Sequence, residues 1–269
     1  MRRTVSAHCE LALTGRTRLV WSLAAAQGSP LASEELRITV DGEPVHPEEL
    51  ADQHGTRLHA LEAEGDALVA TYDAVVDGRA EPPPVRDVDL ITYLRPSRYC
   101  ESDSLAPTAA SVFGSLADAD LLDAVTTWVS EQLLYVTGSS LPTDGAVRTL
   151  LARQGVCRDF AHLSIALLRA LNVPARMAAV YAPGLSPMEF HAVAEAYVHD
   201  RSGTAGWYVV DATRKAPRQS LLRIATGRDA ADTAFLTNFF AGVQLGHLEV
   251  TATADDFPVD DHGPLVQLR

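Results

Sequence analysis

Short runs of alternating apolar residues open the chain. Residues 5–13, 17–25, 36–40 and 67–76 carry β-branched or alternating apolar positions, separated by the turn formers Gly15, Gly28, Pro30, Asp41-Gly42 and Gly65-Asp66. A period of two between turn residues is the pattern of strands, so this part reads as all-β. Pro82-Pro83-Pro84 follows as a stiff connector, since proline fixes φ and lacks a ladder donor, and Val85 to Leu94 reads as one more strand. The period then changes. Between Ala119 and Leu133, residues Leu121, Leu122, Val125, Trp128, Val129 and Leu133 fall at helical spacing. Thr143 is placed to cap a second helix, carrying Val147, Leu150 and Leu151, that ends before Gly155. A third helix runs from about Cys157 to Asn172 and is halted by Pro174. Strand candidates follow at 175–181, 191–199 and 206–212, and Leu248 to Arg269 reads as an edge strand with a solvated, acidic tail. The expected fold is α+β: a β-rich N-terminal domain over 1–95, a mixed core over 96–247, and the edge strand and tail over 248–269.

Charge narrows the partners. The 269 residues hold 22 Lys and Arg against 35 Asp and Glu, a net −13, which opposes nonspecific attraction to nucleic acid or an anionic membrane. Glu10, Arg16 and Arg18 interrupt anything resembling a secretion signal, and no apolar run approaches the roughly 20 residues of a membrane span. A cytoplasmic protein is expected. Cys9, Cys100 and Cys157 are too few and too scattered for a disulfide framework or a zinc site, and no calcium loop with alternating Asp or Asn ligands is visible, so no cofactor is expected.

The candidate chemistry lies in three residues. Cys157 stands in Gly155-Val156-Cys157-Arg158-Asp159-Phe160, immediately ahead of the apolar run Ala161 to Leu171. A helix N-terminus there stabilises a thiolate, lowers its pKa below the free value of about 8.5, and offers the Cys157 N–H to an oxyanion. His191 opens one strand candidate and Asp211 closes another, with the turn-rich stretch Asp200 to Ala205 between them suggesting a hairpin. A hairpin centred on Arg201 sets His191 directly opposite Asp211 on one face, where the carboxylate orients the imidazole. Taken singly, each residue has a structural reading: a buried small hydrophobe, a polar strand end, a turn former. Their joint placement favours a thiol nucleophile, its base and the group that orients the base. Cys9 and Cys100 keep the structural reading, and His162, five positions beyond Cys157, is a weaker rival base.

These segments resemble the transglutaminase-like superfamily, in particular its bacterial two-domain members, whose core fold is related to papain-like cysteine proteases. Gly155 to His162 looks like the nucleophile motif, Phe190-His191-Ala192 with Glu195-Ala196-Tyr197 the histidine motif, and Trp207 to Thr213 the aspartate motif. The likeness extends to Pro96-Ser97-Arg98-Tyr99-Cys100 and to Gly227-Arg228-Asp229-Ala230-Ala231-Asp232. It implies a β-sandwich-like N-terminal domain before a transglutaminase-like core of helices packed on an antiparallel sheet, and a second oxyanion donor, for which Trp128 and Trp207 are candidates. Met177 stands where the family often has an aromatic residue, and Glu189 where an aspartate usually precedes Phe-His.

The reading is a thiol enzyme acting on a peptide or amide, with Cys157 as nucleophile, His191 as proton shuttle and Asp211 as orienting group. Water as acceptor makes a peptidase or amidase; an amine makes a transglutaminase; a peptide-binding module is the noncatalytic alternative. Arg153, Arg158, Arg214 and Arg228 are either holders of a substrate carboxylate or surface ion pairs.

Overall fold

The computed structural model describes residues 1–82, 84–239, 242–257, 259–260 and 262–269. Pro83, the middle of the proline connector, and Pro258 and Asp261 of the C-terminal segment lie outside them. The chain begins with strands β1 (Arg2–Leu13), β2 (Thr17–Trp21), β3 (Leu31–Val40), β4 (Glu43–Val45), β5 (Glu48–Ala51), β6 (Arg57–Ala63) and β7 (Ala67–Asp77). Next come α1 (Asp87–Thr92), α2 (Ser102–Phe113), α3 (Asp118–Gln132), β8 (Leu134–Tyr135), α4 (Ala146–Ala152), β9 (Gln154–Gly155) and α5 (Cys157–Ala170). The last elements are β10 (Ala175–Tyr181), β11 (His191–His199), β12 (Ala205–Val210), β13 (Leu222–Gly227), α6 (Ala230–Thr233), β14 (Leu236–Phe239) and β15 (Val243–Ala254).

Two antiparallel sheets, β15-β1-β7-β3-β4 and β14-β2-β6-β5, enclose a core that includes Leu11, Leu19, Trp21, Leu68 and Tyr72. Every second residue of β1 and β7 is buried, as a sandwich strand requires. The sandwich is closed from both ends of the sequence, because β14 pairs with β2 and β15 with β1. The boundary expected after residue 247 falls inside β15.

The third sheet, β12-β11-β10-β13, is antiparallel and supports the helices. Helix α5 is buried at all but Arg158 and Ala170, as expected of a helix enclosed on every side. One face of this sheet is divided between two neighbours. On β10, Ala175 and Met177 pack with the helices, whereas Tyr181 packs into the sandwich core. The other face carries Ala178, Val180, Val193 and Val209, covered by Leu185, Ala216, Leu221 and Leu268.

Several expectations are corrected. Val85 to Leu94 is not a strand: α1 forms there, with Asp87 and Asp89 in its first turn and the buried Asp89 carboxylate accepting from Arg86 Nε and Nη2 at 3.0 Å. Acids at a helix N-terminus meet the positive end of the dipole, and this overrides the β-branched sequence. Thr143 does not cap α4. Gly145 does, and the first helical N–H, of Ala146, donates to Glu101 Oε2 at 2.8 Å and Tyr99 O at 2.9 Å. The helix does end before Gly155, as expected, on Arg153 in the left-handed region, φ 57°. The end of the chain is not a solvated tail, since Leu268 is buried and Val266 O accepts from Val209 N at 2.8 Å.

A buried carboxylate crosses the third sheet. Glu195 on β11 accepts from Arg176 Nε of β10 at 2.9 Å and from Arg223 Nη1 and Nη2 of β13 at 2.8 Å. The Arg176 guanidinium lies 4.0 Å above the Trp207 ring of β12, so all four strands take part. Burial alone would push the Glu195 carboxyl up; the two arginines outweigh it and hold it at about 2. Removing this carboxylate strands two buried guanidinium groups. Glu195→Ala is expected to lower the unfolding free energy by about 3–5 kcal/mol in urea titration. A loss below about 1 kcal/mol would contradict this account of the sheet.

Candidate active site

Cys157 begins α5 because Val156 is extended (φ −111°, ψ −179°) and Asp159 caps the helix, its carboxylate accepting from Val156 N at 2.8 Å. Gly155 makes room for that carboxylate. A Cβ at Gly155 would come within 2.6 Å of Asp159 Cβ, so the glycine serves the helix start. Cys157 is 8% exposed, against 0% for Cys9 and Cys100. Its Sγ lies 4.0 Å from the carbonyl oxygen of Phe190, the residue before His191.

His191 and Asp211 meet, in a register different from the one expected. Strand β11 pairs with β12 as Ala194↔Val210 through His199↔Ala205, which centres the hairpin on Ser202 instead of Arg201. The turn explains the shift. Asp200 Oδ1 accepts from Ser202 N at 2.8 Å and Thr204 N at 2.9 Å, and Asp200 N donates to Thr204 O, closing a loop over 200–204. Asp211, just past the end of β12, therefore stands diagonal to His191 and not opposite it. A two-residue displacement keeps the same face, and a diagonal neighbour remains within reach of an imidazole. His191 Nε2 is 2.9 Å from Asp211 Oδ2. The other carboxylate oxygen, Oδ1, accepts from Thr213 N at 3.0 Å and Thr213 Oγ1 at 2.7 Å.

The electrostatics follow from this packing. Burial opposes a charged His191, but the Asp211 carboxylate, its hydrogen bond and Cys157 outweigh burial and raise the imidazole to about 10. Burial likewise opposes a charged Asp211, and His191 with Thr213 holds its carboxyl below the usual value. With Nε2 committed to Asp211, Nδ1 is buried without a hydrogen-bonding partner and is the ring atom left for Cys157. The rival base His162 is occupied elsewhere. Its Nε2 accepts from Ala230 N at 3.1 Å, its ring stacks on Tyr99 at 5.3 Å, and burial lowers it to about 3.

The outlying segments brace α5. Asp229 caps α6 by accepting from Ala231 N at 2.9 Å, and its other oxygen accepts from Tyr99 N at 2.9 Å. Arg169 of α5 donates to Arg95 O, Ser97 Oγ and Arg228 O at 3.0, 2.9 and 2.6 Å. Segments 96–100 and 227–232 are thus joined to each other and to the helix carrying Cys157.

Neither tryptophan reaches Cys157. Trp128 packs edge-on against Phe113, and Trp207 lies beneath Arg176. Sequence reasoning missed Tyr135. The short parallel pairing of β8 with β9 sets Tyr135 beside Gly155, two residues before Cys157. The Tyr135 hydroxyl donates to Glu189 Oε1 at 2.6 Å. A phenol placed this near the nucleophile is a signal that a sequence alone does not carry, because it depends on a two-residue strand pair.

A cavity of about 680 Å³ opens over Cys157 and His191, with walls from the third sheet and from the sandwich strands β14 and β15. Of the four arginines considered, only Arg158 borders it. Arg153 bonds Gln132, Arg214 donates to Thr127 Oγ1 at 2.8 Å, and Arg228 pairs with Asp232 at 2.8 Å. Among the described residues, no three His, Cys, Asp or Glu side chains are gathered to hold a metal ion.

Two outcomes are expected. Iodoacetamide should modify Cys157 well before Cys9 and Cys100, because burial pushes the Cys9 thiol up to about 12 and raises that of Cys100 as well. Peptide mapping that found either buried cysteine labelled first would contradict this. Because His191 rises from 6.5 to about 10 on folding, its contribution to stability is complete below pH 6.5 and is lost as pH rises towards 10. Asp211, lowered on folding, contributes above its unfolded value of 3.8 and loses that contribution as pH falls. His191→Gln should therefore flatten the alkaline decline in urea midpoint between pH 6.5 and 10, and an unchanged decline would contradict the assignment.

The sequence profile of the Transglutaminase-like superfamily matches residues 107–212, which contain Cys157, His191 and Asp211. A proposed cysteine protease from Cytophaga hutchinsonii, solved by crystallography, is 34% identical, with a TM-score of 0.85 over 96% of this chain and 92% of that one. An uncharacterised protein of Mycobacterium tuberculosis strain H37Rv is 28% identical over 231 residues, 73% of each chain. One of Mycobacterium leprae is 29% identical over 130 residues, so the chain spans 45% of that relative's length. With a relative this similar over nearly its whole length, the chain belongs to the transglutaminase-like superfamily.

Proposed function

We propose that the protein is a thiol-dependent acyl-transfer enzyme that hydrolyses a peptide or amide bond through Cys157, His191 and Asp211. The observation that carries this is the buried Asp211–His191 contact of 2.9 Å, which keeps the imidazole charged next to the thiol. Cys157 attacks the carbonyl carbon as its thiolate, and the electron pair moves onto the carbonyl oxygen. His191 gives its proton to the leaving amine as the C–N bond breaks, which leaves a thioester on Cys157. Water then attacks the thioester, His191 takes a proton from it, and the acid departs with the thiolate restored. Asp211 keeps Nε2 occupied throughout, so Nδ1 is the atom that exchanges protons with the reaction.

Hydrolysis is favoured over amine transfer by the relative from Cytophaga hutchinsonii, which is described as a proposed cysteine protease. Arg214 and Arg228 do not line the cavity, so neither bears on which acceptor reaches the acyl-enzyme. Three free cysteines, all buried, suit the reducing cytoplasm expected from the sequence.

The test is a peptide mixture incubated with enzyme and analysed by mass spectrometry, with and without a millimolar-scale primary amine. Free acids should dominate the products, Cys157→Ala should abolish them, and Asp211→Asn should lower kcat/KM by about a hundredfold. A dominant amine adduct would make the protein a transglutaminase. No turnover of any acyl donor, with Cys157 still alkylatable, would favour the peptide-binding reading.

A further inference from the structure

The cavity over Cys157 has a chemical character of its own. Ala179 of β10 and Ala192 of β11 are a cross-strand pair, and both line the cavity. Their small side chains leave a hollow between larger neighbours on the same face of β10, Met177 and Tyr181, both buried. One wall of the hollow is aromatic. Phe190 and Phe235 stack with ring centroids 5.2 Å apart, and both stay only half-buried. Leu248 of β15 adds an aliphatic side from the sandwich. Apolar side chains left open beside a reactive thiol lose water only when something apolar enters.

We infer that this hollow is the specificity pocket for the acyl donor, taking a bulky apolar side chain, aromatic or long aliphatic, next to the bond that is cut. The inference rests on the acyl-transfer reading, because the side chain belongs to the group that Cys157 would acylate. Phe190 links the two regions: its carbonyl oxygen is 4.0 Å from Cys157 Sγ while its ring stacks in the hollow. A substrate carbonyl held at the sulfur therefore places its neighbouring side chain within reach of the aromatic wall. The sandwich thereby has a direct part in selecting substrate, since strand β15 and the segment leading into β14 complete the pocket.

Alkylation selectivity tests this without requiring turnover. Cys157 in the wild-type protein is treated with iodoacetamide, N-benzyl-iodoacetamide and a carboxylate-bearing iodoacetamide, each rate being divided by that of the same reagent with glutathione. The benzyl reagent should be favoured by about tenfold over iodoacetamide, the scale of discrimination that an apolar pocket provides. Ala179→Leu fills the hollow and should remove most of that advantage, bringing the normalised benzyl and iodoacetamide rates within about threefold of each other. Equal normalised rates for all three reagents, or a preference for the carboxylate, would overturn the inference. If Ala179→Leu loses its fold, seen as labelling of Cys100, the wild-type series still decides. Selective benzyl labelling with no peptide turned over would count against the enzymatic reading and leave the pocket assignment standing.

Discussion

A charge taken out of water must be given a partner, and the third sheet is organised around one such charge. Glu195 is 0% exposed, and its two oxygens are held by arginines from the strands β10 and β13. Any slip of β11 by one residue would turn Glu195 to the face packed by α5 and leave three charges without partners. The register of β11 against β10 is therefore strongly specified, and with it the position of His191, four residues upstream on the same face. The same rule recurs at the strand's beginning. Asp211 is buried with every oxygen bonded, and the partner it finds is the imidazole beside Cys157.

The cavity exists because two layers share one face of that sheet without meeting. Helix α5 covers Ala175 and Met177, the sandwich covers Tyr181, and the alanines between them are left open. Cys157 sits at this gap because it is the first residue of α5. The sandwich reaches the gap through strands β14 and β15, from the far end of the sequence. Both ends of the chain are thus needed to finish the surroundings of one thiol.

Much of this was legible in the sequence, and the exceptions have physical causes. The helix after Cys157 and the strands 175–181 and 191–199 stand where the apolar spacing placed them, because burial and periodicity agree there. Helix α2 was invisible because Pro107 lies inside it, and it is held by Leu105, Ala109 and Phe113, which share one buried face against α5. Strands 48–51 and 57–63 escaped notice because β5 is exposed throughout and β6 does not alternate cleanly. The residues Cys157, His191 and Asp211 were each singled out from local context, and the structure brings them to one place. Their exact pairing was not legible, since one hydrogen-bonded turn around Asp200 moves the hairpin centre by a residue. Tyr135 depends on a tertiary contact that no local pattern announces.

The central claim is that the Asp211 carboxylate, outweighing burial, keeps His191 charged beside Cys157 at neutral pH. The direct measurement is a pH titration of the His191 ring nitrogens by NMR in ¹⁵N-histidine-labelled protein. The account predicts that both nitrogens remain protonated until pH approaches about 10. A ring that loses its proton near or below 6.5, as a free imidazole does, would contradict it.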